Sequence, residues 1–327
     1  MSPIVSILRV IFISFLLAAN APLALGQSST AKPIRLILPY PTGGLLDSTV
    51  RIIGQTFSEQ SGQTLIIENR PGASTFIGMK ACRDASPDGN TVCVTSAESL
   101  SYNPWLFKHI PYDAEKDFAA VTNLVFPNNV IVANARAPFN SLMEMIAFAR
   151  TNPGKINYGT WGAGSTPHLY LESINRAFNV NITNVPYKGS SLAYPATVSG
   201  EVDVTFGGLG FSMPLIKSGK LKALAISPFP SPALPNVPAM RDVGGEPPTK
   251  TYWGMFAPAR TPKTLLEKLS AEIVRTLKSP KIEEFMAVQT LVPVGNTPDE
   301  FAAFVIADRE SAGRMFKQMG ISPQDNP

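Results

Sequence analysis

The sequence has little of what enzymes and nucleic-acid-binding proteins depend on. Only two of its 327 residues are histidine and two are cysteine, and charged residues make up 16%. Serine-elbow, phosphate-loop and zinc-protease motifs are absent, so we expect no catalytic residues, no cofactor and no metal site. No run of Lys or Arg is interleaved with aromatic residues, and the net charge of +4 is mild. This balance argues against nucleic acid and suits an anionic ligand.

Long apolar runs are also scarce, and the main one stands at the start of the chain. Arg9 precedes an apolar core from Val10 to Ala19, and the small residues Ala24 and Gly26 stand where signal peptidase cuts. We predict a signal peptide over residues 1–26 and a periplasmic mature chain. The alternative is a membrane anchor, but the apolar core is shorter than the ~20 residues that span a bilayer.

The two cysteines, Cys82 and Cys93, fit an exported chain as one disulfide that closes a short loop. Two buried free thiols are the alternative, because the spacing does not fix the geometry of the pair. A metal site is not expected here, since the sequence offers no Cys-x-x-Cys motif and no histidine close by.

Strand and helix patterns alternate along the chain. Residues 34–39 and 91–95 are predicted to be buried strands, and residues 47–60 a helix with apolar residues at helical spacing. Further helices are predicted over residues 141–151, 168–178, 262–278, 280–289 and 298–319. Such alternation is typical of an α/β fold. The mature chain is longer than the length that a single hydrophobic core usually supports, so we expect two lobes.

Two glycine-containing loops each follow a predicted strand and precede a predicted helix. The first contains Gly43 and Gly44, and the second runs from Gly159 to His168. Unpaired N–H groups at a helix start, with the positive end of the helix dipole, bind carboxylates. The first pair alone is more typical of a tight turn with Asp47 as the helix cap. A second such loop, with hydroxyls from Ser165 and Thr166, favours a two-sided carboxylate site.

At these residues the chain resembles the Bug-type solute-binding receptors of tripartite tricarboxylate transporters. The matching segments follow the family's order along nearly the whole mature chain: residues 39–44 with Asp47, 68–73, 87–89, 103–104, 111–113, 116–118, 153–158, 185–189 and 219–225.

The resemblance implies a two-lobed periplasmic-binding-protein fold of type II (Venus flytrap), in which each lobe is a mixed sheet flanked by helices. Lobe 1 would comprise residues 27–124 and 252–327, and lobe 2 residues 125–251. The lobes would close on a small organic carboxylate by a hinge near residues 121–126 and 251–257. The implied partners are that ligand and the membrane permease subunits of a secondary transporter, and we expect a monomer.

Ligand-binding residues transfer from the family by motif. The implied set is Tyr40, Thr42, Gly43, Gly44 and Asp47 in the first loop, Gly162, Gly164, Ser165, Thr166 and His168 in the second, with Ser96 to Glu98, Tyr187 and Lys188 near them. For three of these residues, a structural role without ligand contact is the alternative. Asp47 suits the first turn of a helix without touching ligand, His168 suits a cap or packing role, and Lys188 suits a solvated position.

The sequence departs from the family at two places beside the expected site. Gly207 and Gly208 stand where relatives commonly have Asp-Asn, so polar side chains are missing there. Trp161 stands where the family usually has a small residue. Both differences favour a ligand with an apolar or aromatic body over a hydroxylated tricarboxylate such as citrate. The alternative is that Trp161 packs on the outer surface.

Two other functions remain open from the sequence. A secreted hydrolase or isomerase would use His168 with Ser165 or Asp47, but the nucleophile motifs of such enzymes are missing. A receptor that signals to a sensor partner would share both the fold and the ligand chemistry, so the sequence does not separate it from a transport receptor.

Overall fold

The computed structural model describes residues 32–162, 165–187, 190–247 and 249–325. The predicted signal peptide with its cleavage site at Gly26, and two residues assigned near the ligand, Gly164 and Lys188, lie outside the described residues. Within those ranges, none of the helices combines the length and apolar character that crossing a membrane requires.

Six strands form the first sheet, in the order β11 (Leu291–Pro293), β4 (Phe118–Pro127), β10 (Trp253–Pro258), β3 (Thr91–Ser96), β1 (Ile34–Leu38) and β2 (Leu65–Asn69). Strand β1 is parallel to β2 and β3, as strand–helix alternation predicts. Strand β10 lies antiparallel between β3 and β4, and β11 is antiparallel to β4. The sheet is therefore mixed.

Five strands form the second sheet, in the order β7 (Thr183–Pro186), β6 (Asn157–Thr160), β8 (Val204–Gly208), β5 (Asn129–Asn134) and β9 (Leu221–Ser227). Strand β6 is parallel to β7 and β8, whereas β5 is antiparallel to β8 and β9. The chain enters this sheet after β4 and leaves it before β10. Two mixed sheets flanked by helices confirm the predicted fold class, while the lobe boundaries at 124/125 and 251/252 stay predictions.

The helices have the following bounds. Those of the first lobe are α1 (Leu45–Ser61), α2 (Phe76–Arg83), α3 (Asn103–Leu106), α9 (Lys263–Leu277), α10 (Pro280–Val288) and α11 (Pro298–Gln318), with a π-helical turn over Glu98–Tyr102. Those of the second lobe are α4 (Leu142–Thr151), α5 (Thr166–Phe178), α6 (Ser190–Ser199), α7 (Leu209–Lys217) and α8 (Met240–Val243).

Local sequence explains where these helices begin. The Ser141 hydroxyl accepts a hydrogen bond from Glu144 N at 3.2 Å, which caps α4 as predicted. Thr297 and Glu300 form a reciprocal capping box at the start of α11. Helix α1 differs from the prediction, because Gly44 is its N-cap and Asp47 lies within the first turn. The alternative in which Asp47 caps this helix is therefore wrong, whereas the expected position of Asp47 in the first turn is confirmed.

Each sheet packs against its own helices through apolar side chains. In the first lobe Leu36, Leu38 and Val94 from the strands meet Val50 and Phe57 of α1, all essentially inaccessible to solvent. In the second lobe a separate cluster of buried apolar side chains joins the sheet to its helices. Because apolar burial is the main favourable term in folding, each lobe has its own source of stability.

A disulfide between Cys82 and Cys93 confirms the predicted pairing and excludes the two-thiol alternative. The bond joins α2 to β3, and both cysteines are fully buried. It therefore ties a surface helix directly to a central strand of the first sheet.

Candidate functional site

The predicted glycine loops both lie at carboxyl ends of parallel strands, where α/β folds bind ligands. The first loop follows β1 and the second follows β6. Between the two sheets lies a cleft of about 440 Å3. Its lining comprises Gly43, Gly44, Leu45, Pro127, Asn129, Trp161, Thr166, Ser190, Tyr194, Phe206, Gly207, Gly208, Phe211, Thr251 and Trp253. Residues from both loops thus border one cavity.

A carboxylate within the protein holds the first loop in place. The Gly43 N–H donates to Asp47 Oδ2 at 3.0 Å, and the same oxygen accepts from Arg51 Nε at 3.0 Å. Asp47 Oδ1 accepts from Asn69 Nδ2 at 2.9 Å. Gly43 has a φ of +87°, which favours glycine. This arrangement engages the Gly43 N–H and Asp47 with each other.

The same contacts shift the acidity of Asp47. Burial by itself raises the pKa of this carboxyl, but hydrogen bonds from Arg51, Gly43 and Asn69 outweigh it and lower the pKa to about 2. Asp47 is therefore a paired anion within the first lobe at neutral pH.

Gly44 presents backbone to the cleft at the start of α1. It is exposed, and its backbone is extended with φ −76° and ψ 166°. A Cβ built at this position meets no atom within 4 Å. The first N–H groups of a helix have no partner within the helix, so this edge of the cleft is suited to an anion. Thr42 lies beside it and is also exposed.

Tyr40 and Ser96 lie behind the first loop, outside the cleft lining. The Tyr40 hydroxyl lies 2.8 Å from Ser96 Oγ and 3.3 Å from Thr95 Oγ1. Burial, reinforced by the charge of Glu98, raises the pKa of Tyr40. These contacts attach the first loop to the end of β3. Tyr40 and Ser96 therefore position the backbone of the first loop and do not line the cleft themselves.

The second loop turns back on itself before α5. Gly162 has a φ of +104°, and its carbonyl accepts a hydrogen bond from Ser165 Oγ at 2.7 Å. Thr166 lines the cleft, and its hydroxyl oxygen lies 3.4 Å from Oε1 of Glu98 in the other lobe. The structure therefore brings Thr166 to the cleft and engages Ser165 within its own loop.

His168 and Tyr187 lie outside the cleft lining. His168 Nε2 is 3.7 Å from Glu172 Oε1, and burial, partly opposed by the Glu172 charge, lowers the pKa of His168. The Tyr187 hydroxyl donates to Glu201 Oε1 at 2.8 Å. Neither side chain borders the cavity between the sheets.

Four aromatic residues of the second lobe line the cleft. Trp161, Tyr194, Phe206 and Phe211 lie there, and Trp253 joins them from the first lobe. Trp161 packs partly against the second-lobe core and also borders the cleft. None of the described residues that line the cleft carries a charge.

Gly207 makes room for one of these rings. A Cβ at Gly207 would come within 2.5 Å of the Tyr194 hydroxyl oxygen, which itself lies 2.6 Å from Ser212 Oγ. The Gly207-Gly208 pair, read from the sequence as a loss of polar side chains, thus admits an aromatic ring. Tyr194, Phe206 and Phe211 were not selected from the sequence, because no pattern distinguishes a cleft aromatic from a core aromatic.

The described residues contain no group of three or more His, Cys, Asp or Glu side chains able to hold a metal ion. What the cleft offers is backbone N–H at two helix starts, a few hydroxyl and amide groups, and aromatic surface. Such a set can bind a small anion with an apolar body, and it supplies no nucleophile with an adjacent base.

Comparison with known proteins identifies the family. The model of the tripartite tricarboxylate transporter family receptor matches residues 49–321. A UPF0065 protein of Pseudomonas sp. (strain P51) is 30% identical over 89% of this chain and 90% of its own. Protein BugT of Bordetella pertussis is 29% identical over 96% of this chain and 97% of its own.

Solved structures agree with this assignment. The R. palustris protein Rpa4515 with adipate has a TM-score of 0.80 and 27% identity, over 90% of this chain and all of that one (100%). MatC from Rhodopseudomonas palustris with bound malate has a TM-score of 0.73 and 26% identity, over 89% and 99%. The chain therefore belongs to the tripartite tricarboxylate transporter receptors of the Bug type, a family of periplasmic solute-binding receptors that are not enzymes.

Proposed function

We propose that the protein captures a small organic carboxylate with an apolar or aromatic body and delivers it to a membrane permease. The observation that carries the proposal is the composition of the cleft. Glycine backbone at the start of α1 faces an aromatic surface that includes Trp161 and Phe211, and the described lining carries no charge. Backbone N–H groups bind a carboxylate without the desolvation cost of burying Arg or Lys.

Binding would draw the two lobes together because the ligand touches both. Gly44 belongs to the first lobe, and Thr166 and Trp161 belong to the second. A ligand stabilises a closed arrangement only through contacts that differ between the open and closed states. The crossovers near residues 121–126 and 251–257 are the proposed hinge, and the lobe boundaries of the sequence analysis belong to the same proposal.

The ligand class is tested by calorimetry on protein freed of bound ligand by unfolding and refolding. The panel comprises benzoate, phenylacetate, adipate, malate and citrate. We expect the aromatic acids to bind at least about tenfold more tightly than citrate, because citrate brings three charges to a cleft whose described lining is uncharged and partly aromatic. Heat from none of these acids or of their amino-substituted analogues would contradict the receptor role, and preference for citrate would contradict the ligand class.

The site itself is tested by Gly44→Val. The extended backbone of Gly44 accepts any residue, and a Cβ there meets no protein atom, so the variant should fold. Its branched side chain would stand where the carboxylate approaches the helix start, so we expect affinity for the tightest acid of the panel to fall about 100-fold. Ser48→Val, an exposed position of the same helix outside the cleft lining, is the control. Unchanged affinity in the Gly44 variant would remove this loop from the site.

Delivery to a permease is the second part of the proposal, and family membership supports it. A strain that lacks the gene should lose uptake of the tightest-binding acid of the panel and regain it on complementation. If the deletion instead abolished a transcriptional response to that acid while uptake persisted, the receptor would serve a sensor.

The periplasmic location also depends on cleavage near Gly26, which mass spectrometry of the mature protein would establish.

A further inference from the structure

Glu98 lies where the two lobes meet, beside the cleft but outside its lining. It opens the π-helical turn after β3, and it borders a separate cavity of about 170 Å3 together with Ser74, Asn103 and Ser165. Trp161 borders this small cavity and the main cleft alike. Thr166, which lines the main cleft, contacts Glu98, so Glu98 lies directly beside that lining.

The surroundings of Glu98 leave its charge uncompensated. Within the described residues its carboxylate has one hydrogen-bond contact, Thr166 Oγ1 at 3.4 Å, and no Lys, Arg or His lies within ion-pair distance. Burial raises the pKa of Glu98, with the Thr166 contact opposing the shift. The neighbouring Asp47, by contrast, is paired with Arg51. Among the described residues, Glu98 is thus a carboxylate with no cationic partner, at the edge of the cleft.

We propose that Glu98 selects a ligand with one carboxylate and a hydrogen-bond-donating or cationic group at its other end, and that it excludes dicarboxylates. This inference rests on the proposed function, since it assigns the second end of the same ligand. The first carboxylate finds helix N–H groups at Gly44. A second carboxylate would meet aromatic rings and the charge of Glu98, with no described cation to offset the repulsion. An ammonium or hydroxyl group there would supply the partner that Glu98 lacks.

Selection of this kind works by penalising the wrong ligand. For a dicarboxylate to enter, Glu98 must take up a proton or the second carboxylate must remain in water. For an aminocarboxylate to enter, Glu98 stays ionised and gains an ion pair. The discrimination is therefore strongest above the pKa of Glu98.

Two pairs of compounds test the inference: 6-aminohexanoate against adipate, and 4-(aminomethyl)benzoate against terephthalate. Within a pair the carboxylate and the body are similar, and the far end changes from ammonium to carboxylate. In calorimetry at about pH 8 we expect the wild type to bind the amino member of at least one pair about tenfold more tightly. Glu98→Gln should reduce that ratio about tenfold, since the amide keeps the shape and removes the charge.

Controls separate the charge of Glu98 from other effects. Glu284→Gln, an exposed position of α10, loses the same charge outside the described lining of both cavities and should leave the ratio unchanged. Glu98→Asp retains the charge and should keep the preference for the amino member. If Glu98→Gln does not give a cooperative thermal unfolding transition, Glu98→Ala carries the same test.

Two results would overturn the inference while leaving the receptor role intact. One is wild-type affinity for both adipate and terephthalate that equals or exceeds the affinity for their amino partners. The other is a preference for the amino member that persists in Glu98→Gln. If no acid of these pairs or of the earlier panel binds, the proposed function fails together with the inference.

Discussion

At the scale of single residues, Asp47 shows how a side chain in a ligand loop can act within the protein. Sequence reasoning left two roles for it, ligand contact or electrostatics at the helix start. Its carboxylate accepts hydrogen bonds from Gly43, Arg51 and Asn69, so both oxygens are engaged inside the first lobe. Asp47 therefore stabilises the positive-φ backbone of Gly43, which in turn orients the edge of the cleft.

These contacts predict that Asp47→Asn destabilises the protein at neutral pH by about 2 kcal/mol, from the shift between the ordinary carboxyl pKa and the folded value of about 2. A lowered folded pKa stabilises above the unfolded pKa, so the contribution is complete above about pH 4 and disappears as the pH falls toward 2. Denaturant unfolding at pH 7 and pH 3 measures it. The exposed Asp242→Asn should change little, and equal stability of wild type and Asp47→Asn at pH 7 would contradict the prediction.

At the scale of elements, caps and apolar periodicity predicted most helices and strands. Helix α11 was predicted over residues 298–319 and runs over Pro298–Gln318, because Thr297 and Pro298 mark its start. Strand order was beyond sequence reasoning. The antiparallel insertion of β10 between β3 and β4 joins segments far apart in the chain, and no local pattern encodes it.

The candidate site likewise has one part that the sequence predicted and one part that it did not. Its backbone edges were predictable, because glycines between a strand and a helix carry a recognisable signal. Its aromatic residues were not, because Phe206 and Phe211 are ordinary apolar residues in the sequence, and only the fold places them beside the same cleft as Trp161. Glu98 was expected near the cleft, but its contact with Thr166 depends on which residues the other lobe brings to it.

The disulfide between α2 and β3 carries a prediction at this scale. Replacing Cys82 and Cys93 together by Ala should lower the free energy of unfolding by about 3 kcal/mol, because the open chain regains the entropy that the closed loop removes. Thermal and denaturant unfolding of the double variant and of oxidised wild type measure the difference. Wild type treated with reductant should approach the variant, and equal stability of all three would show that the bond contributes nothing.

At the scale of the whole molecule, the return crossover to the first lobe runs between the buried Asp308 and the partly buried Glu246. Glu246 contacts Ser227 of β9 at 2.5 Å, and Asp308 of α11 accepts a hydrogen bond from Lys250 N at 2.9 Å. Burial raises the pKa of both carboxyls. Each acid therefore favours the folded state more in its protonated form, and the two lie on either side of the proposed hinge.

Because of the raised pKa of Asp308, we expect the stability of the protein to depend measurably on pH. Burial, partly opposed by hydrogen bonding, raises its pKa to about 6, above the ordinary value of 3.8. The folded state then binds more protons between about pH 4 and 6, so this group makes the protein less stable as the pH rises through that window, by about 3 kcal/mol in all. Asp308→Asn removes the ionisation. We expect the stability of wild type relative to this variant to fall from pH 4 to pH 7 in thermal unfolding, with the exposed Asp325→Asn following wild type throughout. A constant difference between wild type and Asp308→Asn across that range would show that Asp308 ionises as readily in the folded protein as in the unfolded chain.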